Sequence, residues 1–324
     1  MSLRSEYEFG IMALLSLMLI IPMYFPRYYV YIIAVTLCYA IYALGYNLIF
    51  GYTGLLSFGH ALYWGVGAYT VAAFMRPELG PFRIFSMEAL LVLSVVTSAL
   101  VALAVGSICV RYTRIFFGLL NLGFVMLWYS LLLKLYYITG GTDGLPVYTP
   151  TLLGQSFTAE VFRTYTYYYY VLAIFLATSL MMWRVVNSHF GLTLKALREN
   201  SLRAGFVGLD ISRYRLASYV LSGIWGGIGG ALWAPLSGQV SPEISTWLTS
   251  GDIVLMTILG GMGSFIGPVI GAFVFLNLKV QIMHYTTFWQ LFLGSAVILM
   301  VLVLPGGICG AASSLRLRRT KTAS

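Results

Sequence analysis

Residues Gly51 to His60 read GYTGLLSFGH, and how this stretch is read decides the fold. It lies inside a run from Tyr28 to Met75 that contains no Asp, Glu, Lys or Arg. Helices crossing a bilayer need about 20 apolar residues each, so the run is long enough for two. Yet its middle carries Gly51, Gly54 and Gly59 together with Thr53, Ser57 and His60. Irregular backbone at membrane depth is tolerated only where it is buried in protein or lines a wet cavity. The stretch therefore reads as a break built into a span, with those six residues as candidates for lining a solute path.

The rest of the chain fits that frame. Of 324 residues, 60% are hydrophobic and 9% charged, with a mean hydropathy of +0.87; soluble domains carry roughly 25% charged residues. The uncharged runs are long and do not alternate, which excludes a barrel of segments of about 10 residues. The expected fold is all-α, a polytopic transmembrane helical bundle of 8–10 spans in one domain covering residues 1–324. The net charge of +9 reflects Lys and Arg flanking the spans, with no basic patch interleaved with aromatics for nucleic acid. Cys38, Cys109 and Cys309 are far apart and form neither a disulfide framework nor a metal spacing. The N-terminal MSLRSEYEFG, with Glu6 and Glu8, does not read as a cleavable signal; the apolar run after it is taken as the first span.

Spans are expected near 9–25, 28–50, 58–75, 89–110, 115–138, 166–186, 215–236, 252–278 and 286–304. Two connections are long enough to hold structure, 139–164 and 187–215. The second carries Lys195, Arg198, Arg203, Arg213 and Arg215 against Glu199 and Asp210, so the positive-inside rule makes it cytoplasmic. Walking back places 139–164 outside, Arg111 and Arg114 inside, the segment 76–88 outside and the N-terminus inside. Walking forward through simple passes would leave the basic tail Arg316, Arg318, Arg319 and Lys321 outside. A broken or re-entrant 252–278 removes the conflict and returns both termini to the cytoplasm.

That segment has the residues to break. TILGGMGSFIGPVIGAFVF holds Gly260-x2-Gly263-x3-Gly267, with Gly261, Ser264 and Pro268, and resembles the Gly51-x2-Gly54-x4-Gly59 pattern of the first half. Paired Gly-interrupted apolar segments in two halves point to the binding region of a repeat-built transporter. The plainer reading, that glycines let helices approach closely, covers Gly65, Gly67 and the run GIWGGIGGA from Gly223 to Ala231. It covers less well the polar atoms beside the first break.

Enzyme signatures are absent: no G-x4-G-K-[ST], HExxH or CxxC and no nucleophile elbow. His60, His189 and His284 sit on different segments, so no metal site is expected. His60 is the one ionisable group expected at depth, in a structural rather than proton-relaying role. Lys134 and Lys279 are placed near span ends, where they can snorkel, and Asp252 is placed at the start of a half-helix, which it would cap. The absence of carboxylates from the expected mid-membrane zones argues against an ion-coupled carrier; a stand-alone channel or ion-coupled carrier is kept as the rival from another class. In the loop 187–215, Leu194, Leu197, Leu202 and Phe206 recur at helical spacing, Gly205 and Gly208 offer a stop, and Asp210 or Ser212 can cap the next helix. A short amphipathic helix of this kind lies on a membrane surface or docks into a partner's groove, and the residues alone do not choose.

Three blocks carry a family resemblance: GYTGLLSFGHALYWGVGAYT (51–70), ITGGTDGL (138–145), and ALRENSLRAGFVGLDISRYRLASYVLSG (196–223) continuing through SPEISTWLTSGDIVLMTILGGMGSFIGPVIGA (241–272). In order, from about Tyr42 to Leu278, the chain resembles permeases of the branched-chain amino-acid ABC importers, of the LivM type. The resemblance implies a bacterial inner-membrane subunit paired with a second, LivH-like permease, two cytoplasmic ATPases that use the ATP, and an external solute-binding protein delivering a small amino acid. It implies no cofactor in this chain. Residues 194–208 are similar to the family's coupling loop, with Ala204-x3-Gly208 as its core and Glu199 and Asn200 matching its acidic-amide pair. Leu194, Lys195, Leu197, Arg198 and Arg203 fall in the same loop, which favours docking on the ATPase. Departures are Leu55, where the family often has Gln, and FFGLLNLG (116–123), which brings in Gly118 and Asn121. The run Tyr167 to Tyr170 reads as an interfacial aromatic belt. Urea, short amides and aromatic acids stay open as solutes.

Overall fold

Glycines 223, 226, 227, 229 and 230 lie on one helix, and the bundle is assembled around it. The computed structural model describes residues 22, 24–76, 83–157, 165–304 and 306–311. The expected first span near 9–25 lies almost wholly outside them, as do Glu6, Glu8, Glu78 and the basic tail Arg316, Arg318, Arg319 and Lys321.

The long helices are α1 (Arg27–Asn47), α2 (Ala61–Phe74), α3 (Met87–Cys109), α4 (Arg114–Lys134), α5 (Tyr167–Val186), α6 (His189–Phe206), α7 (Ile211–Ser237), α8 (Trp247–Gly260), α9 (Gly267–Tyr285) and α10 (Trp289–Val303). A π-helical turn, Leu48–Tyr52, extends α1. Strands β1 (Leu145–Pro146) and β2 (Gln239–Val240) pair antiparallel, Leu145 opposite Val240. Among the described residues five helical segments are long and apolar enough to cross a bilayer, and three apolar helices are shorter.

α7 packs on α1, α2 and α3. A Cβ at Gly67 would stand 2.0 Å from the Gly227 carbonyl oxygen, and one at Gly230 would stand 2.0 Å from that of Trp64. Helices this close gain van der Waals contact that lipid cannot supply. The packing reading of GIWGGIGGA is the one the structure shows. Asp210 caps α7 as its position suggested, its carboxylate accepting from the Arg213 amide at 3.1 Å. α3 and α4 are peripheral and turn Val92, Leu100, Ile115, Phe116 and Leu119 outward, as a lipid-facing surface requires.

The tyrosine run departs from the belt expectation. Tyr167 and Tyr168 are buried, and the Tyr167 hydroxyl donates to the Leu232 carbonyl at 2.7 Å. A row of four identical side chains reads as a ring around the bundle; helical geometry instead turns successive residues about 100° apart, so two of them are buried and Tyr167 reaches α7.

α6 lies across one end of the bundle, against the π turn, α5 and α7. The opposite end is built from the segments after α4 and α7, where β1 meets β2 and Gln239 donates its amide to the Asp143 carbonyl at 2.5 Å. α2 and α8 have 14 residues each, about 21 Å of helix against a hydrocarbon core of about 30 Å. Each is completed by non-α chain, the irregular residues 53–60 before α2 and the 3-10 turn Pro242–Ser245 before α8. The helices start beside one another, the Ala61 amide donating to Ser250 Oγ at 3.0 Å, and run to opposite ends. Half-length helices of opposite direction from one level are the arrangement that inverted-repeat transporters use at their midplane.

Candidate functional site

The first break begins where α1 loosens into the π turn. Thr53 donates its amide and its hydroxyl to the Leu48 carbonyl at 3.2 and 2.9 Å, closing the widened turn. Gly54 then turns the chain at φ +78°, and a Cβ there would meet Arg198 Cγ at 2.9 Å. The second break joins α8 to α9 through residues 261–266. A Cβ at Gly260 would lie 1.8 Å from the Gly267 carbonyl oxygen, so only glycine lets the two helices meet there. Ser264 fastens the turn, its hydroxyl donating to the Gly261 carbonyl at 2.8 Å and accepting from the Gly267 amide at 3.1 Å. The expected span 252–278 is thus a helical hairpin, and it starts earlier, at Trp247.

The two breaks touch. Asn47 donates its side-chain amide to the Ser264 carbonyl at 2.9 Å and accepts from the Gly263 amide at 3.2 Å. A Cβ at Gly51 would collide with both, 1.9 Å from Asn47 Oδ1 and 2.7 Å from the Gly263 nitrogen. Arg198 of α6 donates to the Gly51 carbonyl. Gly51, Tyr52, Lys195, Arg198, Glu199, Met262 and Gly263 line an open cavity of about 470 Å³, and the Lys195 ammonium sits 5.4 Å from the Tyr52 ring centre. Gly51, Gly54, Gly260, Gly261, Gly263, Ser264 and Gly267 therefore gather at the α6 end with the coupling candidates.

Ser57, Gly59 and His60 separate from that group and lie deeper. His60 Nδ1 is 2.9 Å from Ser57 Oγ and Nε2 is 2.7 Å from Ser222 Oγ, all three side chains buried. Tyr46 donates to the Ser57 carbonyl at 2.9 Å. The Tyr63 hydroxyl donates to that of Tyr219 at 2.7 Å, and Tyr219 in turn donates to Asn121 Oδ1. Gly59 is pressed on α4, where a Cβ would stand 2.1 Å from the Asn121 carbonyl oxygen. Both nitrogens of a neutral imidazole are thereby satisfied, one as donor and one as acceptor, and the network ties the first break to α1, α4 and α7. His60→Ala is expected to destabilise the protein by about 2–4 kcal/mol, because two buried hydroxyls lose a partner at about 1–3 kcal/mol each and Ser57 Oγ, which still accepts from the Gly59 amide, stays at the low end of that range. Thermal unfolding in detergent reads this; a melting temperature equal to wild type would remove the claim.

α6 differs from the single amphipathic helix the spacing implied. Asn200 has φ −156° and ψ 97°, and its side chain accepts from the Arg203 amide at 3.0 Å, restarting the helix as an N-cap does. The kink sends Leu194 and Leu197 inward and leaves Leu202 74% and Phe206 90% exposed. Ala204 is buried, and Gly208, at φ +89°, ends the element. Evenly spaced apolar residues read as one stripe until an irregular residue rotates half of them away.

Asp252 and Lys279 also differ from expectation. The residue before α8 is Thr246, and Asp252 lies inside the helix; its Oδ2 pairs with Lys279 Nζ across the hairpin at 2.7 Å. Neither sits at a free helix end: the break folds the two ends of the expected segment 252–278 onto each other, so a carboxylate expected at a helix start is paired within the hairpin. Asn47, Tyr219, Ser222 and Ser250 also belong to these contacts without being among the sequence candidates, and Asn121 is marked in the sequence only as a departure from the family pattern. Each is a polar residue in an apolar run, and that was the one available signal. Among the described residues, no group of three His, Cys, Asp or Glu gathers as a metal site would require.

The family model described as the branched-chain amino acid transport system permease component matches residues 28–304. The chain belongs to this family. It is similar to the LivM permease of the high-affinity branched-chain amino-acid system of Salmonella typhimurium, 27% identical over 92% of this chain and 74% of that protein. It is 26% identical to a probable LivM of Methanocaldococcus jannaschii over 76% of this chain and 79% of that one. It is also similar to the nucleoside ABC transporter permease NupC of Lactococcus lactis, 34% identical over 39% of each. No solved structure matches. The chain is thus a permease subunit of the ABC importer family and a multi-pass membrane protein.

Proposed function

We propose that this permease moves branched-chain amino acids inward across the bacterial inner membrane. The observation that carries the transport reading is the common starting level of α2 and α8, where two half-length helices of opposite direction meet at Ala61 and Ser250. Their positive N-terminal dipole ends suit the carboxylate of a small zwitterion passing at that depth. LivM-type relatives match along most of their own length and most of this chain, whereas the nucleoside permease matches a minority of both; this favours an amino acid as the solute.

The α6 end is assigned to the cytoplasm, because its loop is the most basic of the chain, and both termini are assigned to the same side. ATP is hydrolysed on two partner ATPases, this chain needs no cofactor of its own, and a second, LivH-like permease and an external binding protein complete the complex. Leu202, Phe206 and the neighbouring Val207, exposed by the kink at Asn200, form the knob for the ATPase groove. Arg198 and Asn47 then connect that knob to both breaks, so a push on α6 reaches the end of the path directly.

The test is uptake by the complex reconstituted with the ATPases and binding protein of its own gene neighbourhood. ATP-dependent accumulation of labelled leucine, undiminished by excess uridine or xylose, is expected. Accumulation of uridine and not leucine would replace the solute assignment, and leucine entry without ATP or the ATPases would replace the importer reading with a channel.

A further inference from the structure

Asp252 and Lys279 form an ion pair at 2.7 Å, with 22% and 23% of their side chains exposed. The Lys279 ammonium also lies 4.9 Å from the ring centre of Trp289 on α10. From Asp252 to Gly260 the helix rises about 12 Å, and from Gly267 to Lys279 about 18 Å. Counted from the α6 end, both residues fall in the middle of a hydrocarbon core of about 30 Å. The α2 and α8 N-termini meet near this depth, Ser250 being two residues from Asp252.

Charged side chains at such depth are costly against lipid and turn to a bundle interior or a water-filled path. This pair is not sealed inside the chain. On its side of α8, Leu248 is 60% exposed, and a Cβ at Gly251 would meet nothing within 4 Å. The face of α8 that carries the pair is therefore uncovered, and charges on such a face argue for a water-filled path over lipid.

We propose that Asp252 and Lys279 are the site at which the permease takes its solute, an α-amino acid zwitterion, by exchange of ion pairs. This rests on the reading of the chain as an amino-acid permease. The solute's ammonium takes the Asp252 carboxylate and its carboxylate takes the Lys279 ammonium, so one internal pair becomes two intermolecular pairs with charges still alternating. Net charge in the path is unchanged, and no ion is left bare at any stage. A neutral solute such as a sugar or nucleoside cannot replace either partner, and breaking the pair for it leaves two uncompensated charges. The pair thus selects for zwitterions by penalising the alternatives.

The experiment uses the reconstituted complex. In Asp252→Asn/Lys279→Gln both charges go and a hydrogen-bonding pair of similar size remains. A pair that only braces the hairpin predicts normal uptake from this double variant; exchange predicts leucine uptake at least tenfold below wild type, with the melting temperature close to that of wild type. A second measurement stands apart from folding of that variant. In a protein with Cys38, Cys109 and Cys309 replaced by Ala, Lys279→Cys is expected to react with the water-soluble aminoethyl methanethiosulfonate, more slowly with leucine present, and uptake should rise once the added ammonium restores the charge. Uptake within twofold of wild type by the double variant overturns the inference, as does a Cys at 279 that stays unreactive in every nucleotide state. A wild-type complex that moves no zwitterion at all would instead overturn the proposed function, and the inference with it.

Discussion

Arg198→Ala is expected to reduce ATP-driven uptake by the assembled complex about tenfold to a hundredfold, with folded yield close to wild type. Arg198 belongs to α6, yet its guanidinium donates to the Gly51 carbonyl of the first break and stands beside Gly263 of the second, where a Cβ would be 3.1 Å from Nη1. Asn47 holds the breaks together at 2.9 and 3.2 Å. Movement of α6 thus reaches both breaks through one side chain. A hydrogen bond from a charged donor contributes about 1.5–3 kcal/mol, and 1.4 kcal/mol is tenfold, which sets the range. The bond lies at the edge of the open cavity, where water can replace the lost donor, so stability changes little. Uptake and stimulated ATP hydrolysis by the same preparation read the effect. Normal coupled turnover would sink the connection between α6 and the breaks.

Gly67→Val should abolish recovery of folded protein, whereas Gly123→Ala should leave it unchanged or slightly improved. At Gly67 the new Cβ would lie 2.0 Å from the Gly227 carbonyl oxygen, a backbone atom that cannot move aside without separating α2 from α7. Overpacking a core costs about 1–3 kcal/mol where side chains can shift. Here two helices must part, so the cost exceeds that range and is large against a total stability of about 5–15 kcal/mol. At Gly123 nothing lies within 4 Å of the added Cβ, and Ala in a helix is favoured over Gly by about 0.8–1 kcal/mol. Size-exclusion profiles and melting curves in detergent separate the two. A monodisperse Gly67→Val peak at wild-type yield would contradict the close packing of α2 on α7.

Composition was enough for the fold class, because only a bilayer permits uncharged runs as long as 28–75, and glycine with proline at 260–268 was enough to mark a break. The positions of the breaks were legible for the same reason: polar and conformationally permissive residues inside apolar runs have to be buried or hydrated somewhere. Partners in space were not legible. Asn47 meets Gly263, His60 meets Ser222 and Asp252 meets Lys279 across long sequence separations, and one chain's periodicity carries no information on which distant segment arrives opposite. The kink at Asn200 escaped because a side-chain cap in mid-helix leaves the spacing of leucines intact while rotating half of them outward.

By itself, then, the sequence determined that the protein is a helical membrane bundle interrupted by glycine in each half, since hydrophobic length and backbone freedom are local properties. Only the tertiary structure decided that both interruptions close against α6, that the half-helices α2 and α8 start together at mid-depth, and that an ion pair stands beside them. Those outcomes depend on helices packing at glycine contacts, where close approach rather than residue type sets which groups meet.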